Sequence, residues 1–278
     1  MSTWHRTAKL SSLEQASTLA LLQRTALESG RESLDEGRQR VVLHGLPAEH
    51  WLLVDIFGNL LAYAQAELKS NTTVELCGGG FDQDLCDSLL ETHESILWWL
   101  RDSPLHDERT VRTLLLMTAD VSLEQYPAIP SGAVVRQFDP TSDSVTWLAH
   151  NNAAFADHPE QGAWKLSDLD ERCREPWFDP SGFVLLEMDG QIAASCWTKV
   201  HELQRNRVGE IYVLSVSPNY QGRGLGHSML AIGRETLRRR GVHTTMLFVD
   251  ETNDRAVALY AANGFVASRV DRVLRIAR

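Results

Sequence analysis

A strand that runs into a glycine-rich turn and straight on into an amphipathic helix leaves few folds open, and residues 213–240 carry that pattern. Val213-Leu214-Ser215-Val216-Ser217 is strand-like and Gln221-Gly222-Arg223-Gly224-Leu225-Gly226 is the turn. Leu225, Met229, Leu230, Ile232 and Leu237 then form the apolar stripe of a helix over 225–240. Glycines let backbone amides come close to an anion, and the first turn of a helix leaves N–H groups without internal partners. The helix dipole adds favourable potential there, so the segment suits a diphosphate, with Arg223 able to add a charge-assisted contact. Other phosphate loops fit less well. A dinucleotide fingerprint starting at Gly222 would need glycine where His227 stands, and no Gly-Lys-Ser/Thr of a nucleoside-triphosphate loop is present. Read blandly, the segment is a turn before a surface helix, as most isolated glycine motifs are.

The surrounding elements give the turn a context. Residues 143–155 and 164–175 read as helices, Phe183–Met188 as a strand, Asp189-Gly190 as a turn and Gln191–Trp197 as the returning strand. Strands follow over 210–217, 244–250 and about 265–276, with helices over 225–240 and 253–262. The first half shows part of the same order. Leu13, Ala16, Leu19, Ala20 and Leu22 mark a helical stripe within 12–29, and strands at 51–57 and 60–64 flank Gly58-Asn59, which is compatible with a two-residue hairpin turn. A repeated order of helices, hairpin and strand–helix–strand predicts two related α/β domains. Two prolines beside a glycine in Tyr126-Pro127-Ala128-Ile129-Pro130-Ser131-Gly132 suggest a linker. The expected division is 1–125, a linker at 126–132, and 133–278; an ordinary surface loop is the other reading of 126–132.

With these residues in view, the chain resembles the GNAT superfamily of acyl-CoA-dependent N-acetyltransferases. Gln221-Gly222-Arg223-Gly224-Leu225-Gly226 is similar to that superfamily's diphosphate loop. Asn253-Asp254-Arg255-Ala256-Val257-Ala258-Leu259-Tyr260, followed by Asn263-Gly264-Phe265, is similar to its Asn-x-x-Ala-x-x-x-Tyr…Gly-Phe signature. The resemblance implies two tandem GNAT-like domains, each a mixed, mostly antiparallel sheet flanked by helices, the N-terminal one degenerate. It implies acetyl-CoA as co-substrate. The pantetheine arm would lie on the backbone of Leu214, Ser215 and Val216, and the diphosphate on Gln221, Gly222, Arg223, Gly224, Leu225, Gly226 and His227. Asn253, Asp254, Arg255, Ala256, Val257 and Ala258 would complete the coenzyme contacts.

A narrower resemblance covers 131–278 almost continuously. Asn151-Asn152-Ala153-Ala154-Phe155-Ala156-Asp157-His158-Pro159-Glu160-Gln161-Gly162, Glu175-Pro176-Trp177-Phe178, Trp197-Thr198-Lys199-Val200-His201 and Gly209-Glu210-Ile211-Tyr212 stand in the order and spacing of the mycothiol synthase family. Members of that family acetylate the cysteinyl amine of a cysteine–glucosamine–inositol pseudodisaccharide, a small-molecule thiol acceptor. An amine with a pKa near ~8 is mostly protonated at pH 7 and attacks a thioester only when neutral, so a base is needed, and an acid for the leaving thiolate. By resemblance Glu210 is the general base and Tyr260 the general acid, while Glu36, Glu160, Lys199, Glu210 and Phe248 bind the acceptor. Each also has a plainer reading: Glu210 as a strand-end carboxylate, Tyr260 as core, Glu36 as part of a charged loop in which Asp35 could take its place. The family commonly has tyrosine where Phe248 stands, which leaves open an acceptor that is another amino sugar or a polyamine. A non-catalytic acetyl-CoA sensor is the reading from a different class.

The first half departs from the family pattern. After Val74-Glu75-Leu76-Cys77 comes Gly78-Gly79-Gly80-Phe81-Asp82-Gln83-Asp84, and Asp82 and Asp84 would repel phosphate. The region after Trp98-Trp99 is short for the usual final helix. The N-terminal domain is therefore expected to bind acetyl-CoA poorly and to serve as a wall of the acceptor cleft.

Composition narrows the remainder. With 27 basic and 37 acidic side chains in 278 residues the formal charge is −10, against a general nucleic-acid binder, which needs a basic face. Most of that excess lies in the first half, with 10 basic and 19 acidic residues over 1–130. No run reaches the ~18–20 apolar residues of a membrane span, and the N-terminus lacks a secretory apolar core. Cys77, Cys86, Cys173 and Cys196 show no Cys-x-x-Cys spacing, so a reducing, cytoplasmic setting is expected and no nucleophilic cysteine is required. The ten histidines form no ligand-spaced cluster, and His5, His44, His50, His93, His106, His201 and His243 read as surface or structural, so no metal is expected. The expected state is a monomer.

Overall fold

A computed structural model of the chain describes residues 2–29, 32–68, 71–103, 107–121, 128–156, 158, 161–203 and 206–278. In chain order the elements are β1 (Thr3–Thr7), α1 (Ser12–Ser29), α2 (Glu36–Leu43), β2 (Glu49–Val54), β3 (Leu60–Leu68), β4 (Thr72–Leu76), α3 (Gln83–Leu90), β5 (Ser95–Leu100) and β6 (Thr110–Asp120). Then come β7 (Val134–Gln137), α4 (Ser144–Ala154), α5 (Leu166–Cys173), β8 (Phe183–Met188), β9 (Gln191–Leu203), β10 (Asn206–Val216), α6 (Leu225–Arg239), β11 (Thr244–Asp250), α7 (Asp254–Ala262) and β12 (Val266–Ala277). The order β-α-α-β-β-β-α-β occurs twice, as the repeat in the sequence predicts.

Two compact units result. The first comprises Met1–Leu115, Asp250–Thr252 and Arg269–Arg278; the second comprises Leu116–Val249 and Asn253–Ser268. These units differ from the expected 1–125 and 133–278 because the chain's last strand pairs within the first unit. Its residues Arg272 to Ala277 run antiparallel to β5, from Arg272↔Leu100 to Ala277↔Ser95. Part of the expected linker lies outside the described residues. Of the rest, Ala128 is held in the second unit by its carbonyl, which accepts from Ser228 Oγ at 2.6 Å.

In the first unit β1, β2, β3 and β4 are antiparallel neighbours, and α3 carries the chain over to β5, which runs parallel to β4. Trp51, Val74, Leu85, Leu89, Ile96, Trp98, Leu274 and Ile276 form one core cluster of this unit. Two local expectations need correction. The β2–β3 connection is the five-residue Asp55–Asn59, because the Asp55 carboxylate accepts from the amides of Phe57 and Asn59 and closes a wider loop. The buried stripe of α1 is Thr18, Leu21 and Leu22, while Leu13 is 77% exposed: the helix is turned so that Leu21, not Ala16 or Ala20, meets the core of Leu52 and Tyr63.

In the second unit β7, β8, β9 and β10 are antiparallel neighbours and β11 runs parallel to β10, with α6 as the crossover. Asp189 and Gly190, with φ of 53° and 72°, make the β8–β9 turn. One face of the sheet is covered by α4 and an aromatic cluster in which Trp197 stacks on Phe183 at 4.5 Å and Trp147 meets Phe183 edge-on at 5.0 Å. The other face carries α6, packed so closely that a Cβ at Gly233 would collide with the Cys196 sulfur and Ile211. The β9–β10 register slips by one residue between Ile211 and Val213, a bulge at Tyr212. Glu210 stands opposite Lys199 before the slip, and Ser215 opposite Ser195 after it.

Candidate active site

The parallel pairing of β10 with β11 runs from Val208↔Thr244 to Glu210↔Met246 and ends there. From Ile211 to Val216 only the β9 edge of β10 is paired, so Leu214, Ser215 and Val216 have one backbone edge open for an extended ligand arm. A short 3-10 turn over Pro218–Tyr220 then leads to Gly222 and Gly224, with φ of 77° and 79°. Gly224 is the N-cap of α6, and a Cβ built on either glycine would meet nothing within 4 Å. That is an open cradle with left-handed backbone, which side-chain-bearing residues rarely adopt. The amides of Leu225 and Gly226 precede the helical ladder, whose first bonds run from His227 N and Ser228 N to Gly224 O at 3.1 and 3.3 Å. Together these features suit a diphosphate.

The second segment expected to contact a coenzyme meets the first. Arg255 donates to Gln221 Oε1 at 2.7 Å, and the Asn263 amide meets His227 Nδ1 at 3.0 Å. Asn253 is the N-cap of α7, its side chain accepting from Ala256 N at 3.1 Å. Asp254, Arg255, Ala256, Val257 and Ala258 form the first turns of that helix. Arg223 lies with its guanidinium 5.1 Å from the centre of the Tyr220 ring.

On the sheet, Glu210 and Lys199 are register partners and both are largely buried, at 8% and 6% exposure. The Lys199 ammonium lies 4.6 Å from the Trp177 ring centre and 5.7 Å from that of Tyr212. Glu210 Oε2 is 2.7 Å from His201 Nε2. His201 is thus no isolated surface histidine; its alternation with Lys199 along one strand face was the readable signal. Trp177 and Tyr212, which pack on each other at 5.0 Å, are the other neighbours of Lys199 that the sequence left without a place. Beneath the open strand, Trp147 Nε1 donates to Ser195 Oγ, which shares a hydrogen bond with Ser215 Oγ at 2.7 Å, and Ser215 meets His150 Nε2 at 2.8 Å. Burial pushes His150 down to about 4, and its Nδ1 has no partner among the described residues.

Tyr260 is buried on α7 against Phe265, and that burial, with the neighbouring Cys196, raises its phenol above the ordinary value. Phe248 lies on β11, two residues past the Glu210 partner Met246, and is 36% exposed. Glu36 opens α2 in the first unit, whereas Glu160 lies outside the described residues. Asp35 is committed elsewhere: it caps α2 through Arg38 N at 2.8 Å and pairs with the Arg38 guanidinium. All four thiols are pushed up by burial, Cys173 to about 11 and Cys196 to about 12.

Comparison with known proteins agrees with this geometry. The Acetyltransferase (GNAT) family pattern matches residues 147–265. Mycothiol acetyltransferase of Streptomyces griseus subsp. griseus is 38% identical, the match covering 98% of this chain and 94% of that protein. The protein of the same name from Streptomyces coelicolor is 37% identical over 96% and 93%. Among solved structures, a GCN5-related N-acetyltransferase from Sphaerobacter thermophilus superposes with a TM-score of 0.70 at 19% identity, covering 99% and 95% of the two chains. A tandem GNAT protein from the clavulanic acid biosynthesis pathway gives 0.69 at 12% identity, over 100% and 98%. The fold is that of tandem GNAT domains and the chain is an acyltransferase: it belongs to the mycothiol acetyltransferase family.

Proposed function

We propose that the chain transfers an acetyl group from acetyl-CoA to the cysteinyl amine of cysteinyl-glucosaminyl-inositol, giving mycothiol. The observation that carries the reading is full-length similarity to proteins named mycothiol acetyltransferase, in a chain whose Glu210, Lys199 and left-handed Gly222 and Gly224 fit the chemistry. Acetyl-CoA supplies an electrophilic thioester carbonyl. Glu210 removes the proton from the acceptor ammonium, so that the nitrogen lone pair can form the new C–N bond as the C–S bond breaks. Lys199 meets an acceptor oxygen, joined by Phe248 on β11. Tyr260 stays protonated across the working pH range because burial raises its phenol. Its main contribution is a hydrogen bond to sulfur as negative charge develops there, and the second proton that the nitrogen sheds on becoming an amide passes to the departing thiolate, giving the free CoA thiol.

Transfer is direct. Every cysteine thiol is raised by burial, which removes the thiolate an acetyl-cysteine route would need. The first unit binds no coenzyme of its own: Asp82 closes the amino end of α3, accepting from Leu85 N and from Trp4 Nε1. Phe248 favours one second reading, a different small amine as acceptor. Mass spectrometry of reactions with acetyl-CoA and the cysteinyl pseudodisaccharide, with polyamine and aminoglycoside controls, separates the two. N-acetylated pseudodisaccharide is expected as the preferred product, and preference for a control amine overturns the acceptor assignment. Glu210→Gln is expected to lower kcat by about 10²–10⁴-fold with acetyl-CoA affinity retained.

A further inference from the structure

The alternation of side chains along β9 puts Lys199 and His201 on one face, and the antiparallel register places Glu210 directly across from Lys199 and diagonal to His201. Of these two neighbours, the histidine is the one in hydrogen-bond contact: Nε2 is 2.7 Å from Glu210 Oε2, the length of a charge-assisted bond. Both side chains are mostly buried, with 9% and 11% of their surfaces exposed. Among the described residues, His201 is the group that hydrogen-bonds this carboxylate.

We propose that His201 is a positioning residue for the base: its Nε2–H fixes Glu210 Oε2 and thereby turns Oε1 toward the acceptor nitrogen. The inference rests on the reading of Glu210 as the base, and it adds a second side chain to that function. A glutamate has three side-chain torsions to fix, and a carboxylate that must meet an amine at hydrogen-bond range works only in a small part of that freedom. One donor on one oxygen removes the freedom and leaves the other oxygen's lone pairs for the incoming proton. The strand supplies the rigidity. Glu210 is the last residue of β10 that is paired on both sides, between Lys199 on β9 and Met246 on β11, so its backbone is fixed where the following residues are held on one edge only. His201, in turn, is registered to Val208, inside the doubly paired part of β10. Among the described residues, the charged groups on this face of the two strands beside the imidazole are Glu210 from β10 and Lys199 from its own strand. The β11 residues in register, Thr244, Thr245 and Met246, carry no charge.

Three variants and one spectrum test the proposal. His201→Ala is expected to lower kcat about 10–100-fold and to move the acid limb of the kcat–pH profile, with acetyl-CoA affinity by calorimetry unchanged. His201→Gln, whose amide N–H reaches the same oxygen, is expected to recover most of that rate. The double variant His201→Ala/Glu210→Gln is expected to be no slower than Glu210→Gln alone, because the histidine acts through the glutamate. His201→Ala within twofold of the parent, His201→Gln as slow as His201→Ala, or additive losses in the double variant would each overturn the role. Nitrogen-15 NMR titration of the His201 ring needs no acceptor. Its midpoint is expected to be higher in the parent than in Glu210→Gln, since a neighbouring carboxylate favours the imidazolium, and equal midpoints would also overturn the pairing. A normal rate in Glu210→Gln would instead defeat the base assignment itself, and a slow Glu210→Gln beside a normal His201→Ala would defeat only the histidine.

Discussion

Glu75 and Glu210 occupy matching places in the two units, and they have opposite surroundings. Each is the last residue of its strand paired to the parallel neighbour, Glu75 with Trp99 and Glu210 with Met246. Glu75 is fully buried. Arg101 holds one oxygen at 2.6 Å; the Asp35 amide at 2.9 Å and the Arg38 guanidinium at 3.7 Å take the other. Arg101 goes on to Asp271 at 3.0 Å. Glu210 has an imidazole as partner and keeps some exposure. The turns that follow diverge in the same sense. β4 ends one residue after Glu75 and leads to Gly79 pressed on Arg101 and to Asp82 over an eight-residue helix, whereas β10 continues to Val216 and an open glycine cradle before a fifteen-residue helix. A single architecture thus makes a carboxylate a strut when two guanidiniums grip it and leaves one accessible when its partner is an imidazole, as the proposed role of Glu210 requires.

The contrast can be broken most sharply in the first unit. Arg101→Ala leaves Glu75 and Asp271 buried without their shared partner and is expected to cost about 3–5 kcal/mol in urea unfolding, with acetyl-CoA affinity of the folded protein unchanged. A loss of coenzyme binding at full folding would give the first unit a direct part in the site. Acid probes the second unit. His150 is depressed from the ordinary 6.5 to about 4, so its contribution is complete above pH 6.5 and is lost as pH falls toward 4, an effect on the order of 3 kcal/mol. His150→Gln removes the titration and is expected to flatten the stability–pH curve over that window; an unchanged curve would place the acid sensitivity elsewhere. The smallest effect sharpens the comparison of the two turns. Gly224→Val puts a branched side chain into the cradle and is expected to weaken acetyl-CoA binding at least ~10-fold, about 1.4 kcal/mol. Gly80→Val, also into open space but before the acidic turn, is expected to change nothing, and the parent to bind one acetyl-CoA per chain. A second equivalent bound, lost in Gly80→Val, would make the two units alike.

Much of the fold was legible because its signals are local. The β8–β9 hairpin is announced by Asp189-Gly190, β11 falls on 244–250 as its pattern predicts, and the glycine turn lies where the strand and helix require it. The aromatic motif that carries Trp177, Tyr212 and His201 was also visible, but their places beside Lys199 and Glu210 were not. They follow from a β9 that continues to Leu203 and a β10 that starts at Asn206, and reading those strands as 191–197 and 210–217 hides the register. The ion cluster of the first unit was out of reach for another reason: Arg101 and Asp271 are 170 residues apart, and their pairing depends on where the last strand docks. Exposure of Leu13 shows the same limit in a helix, since apolar spacing alone does not say which of two adjacent stripes turns inward.

The extra residue at Tyr212 has a consequence for how this site can change. Glu210 and Ser215 are separated by an odd number of positions, yet the half-step inserted between Ile211 and Val213 lets both look to the same side of the sheet. Removing that one residue would close the bulge and leave the downstream faces as they are, with Ser215 opposite Ser195 and Leu214 opposite Cys196, whereas one further residue without a second bulge would invert them, sending Ser215 under α6 and Leu214 toward the aromatic layer. A single-codon deletion at Tyr212 would therefore cost the local kink and keep the facing of the strand, whereas a single-codon insertion beyond it would turn the following side chains inside out.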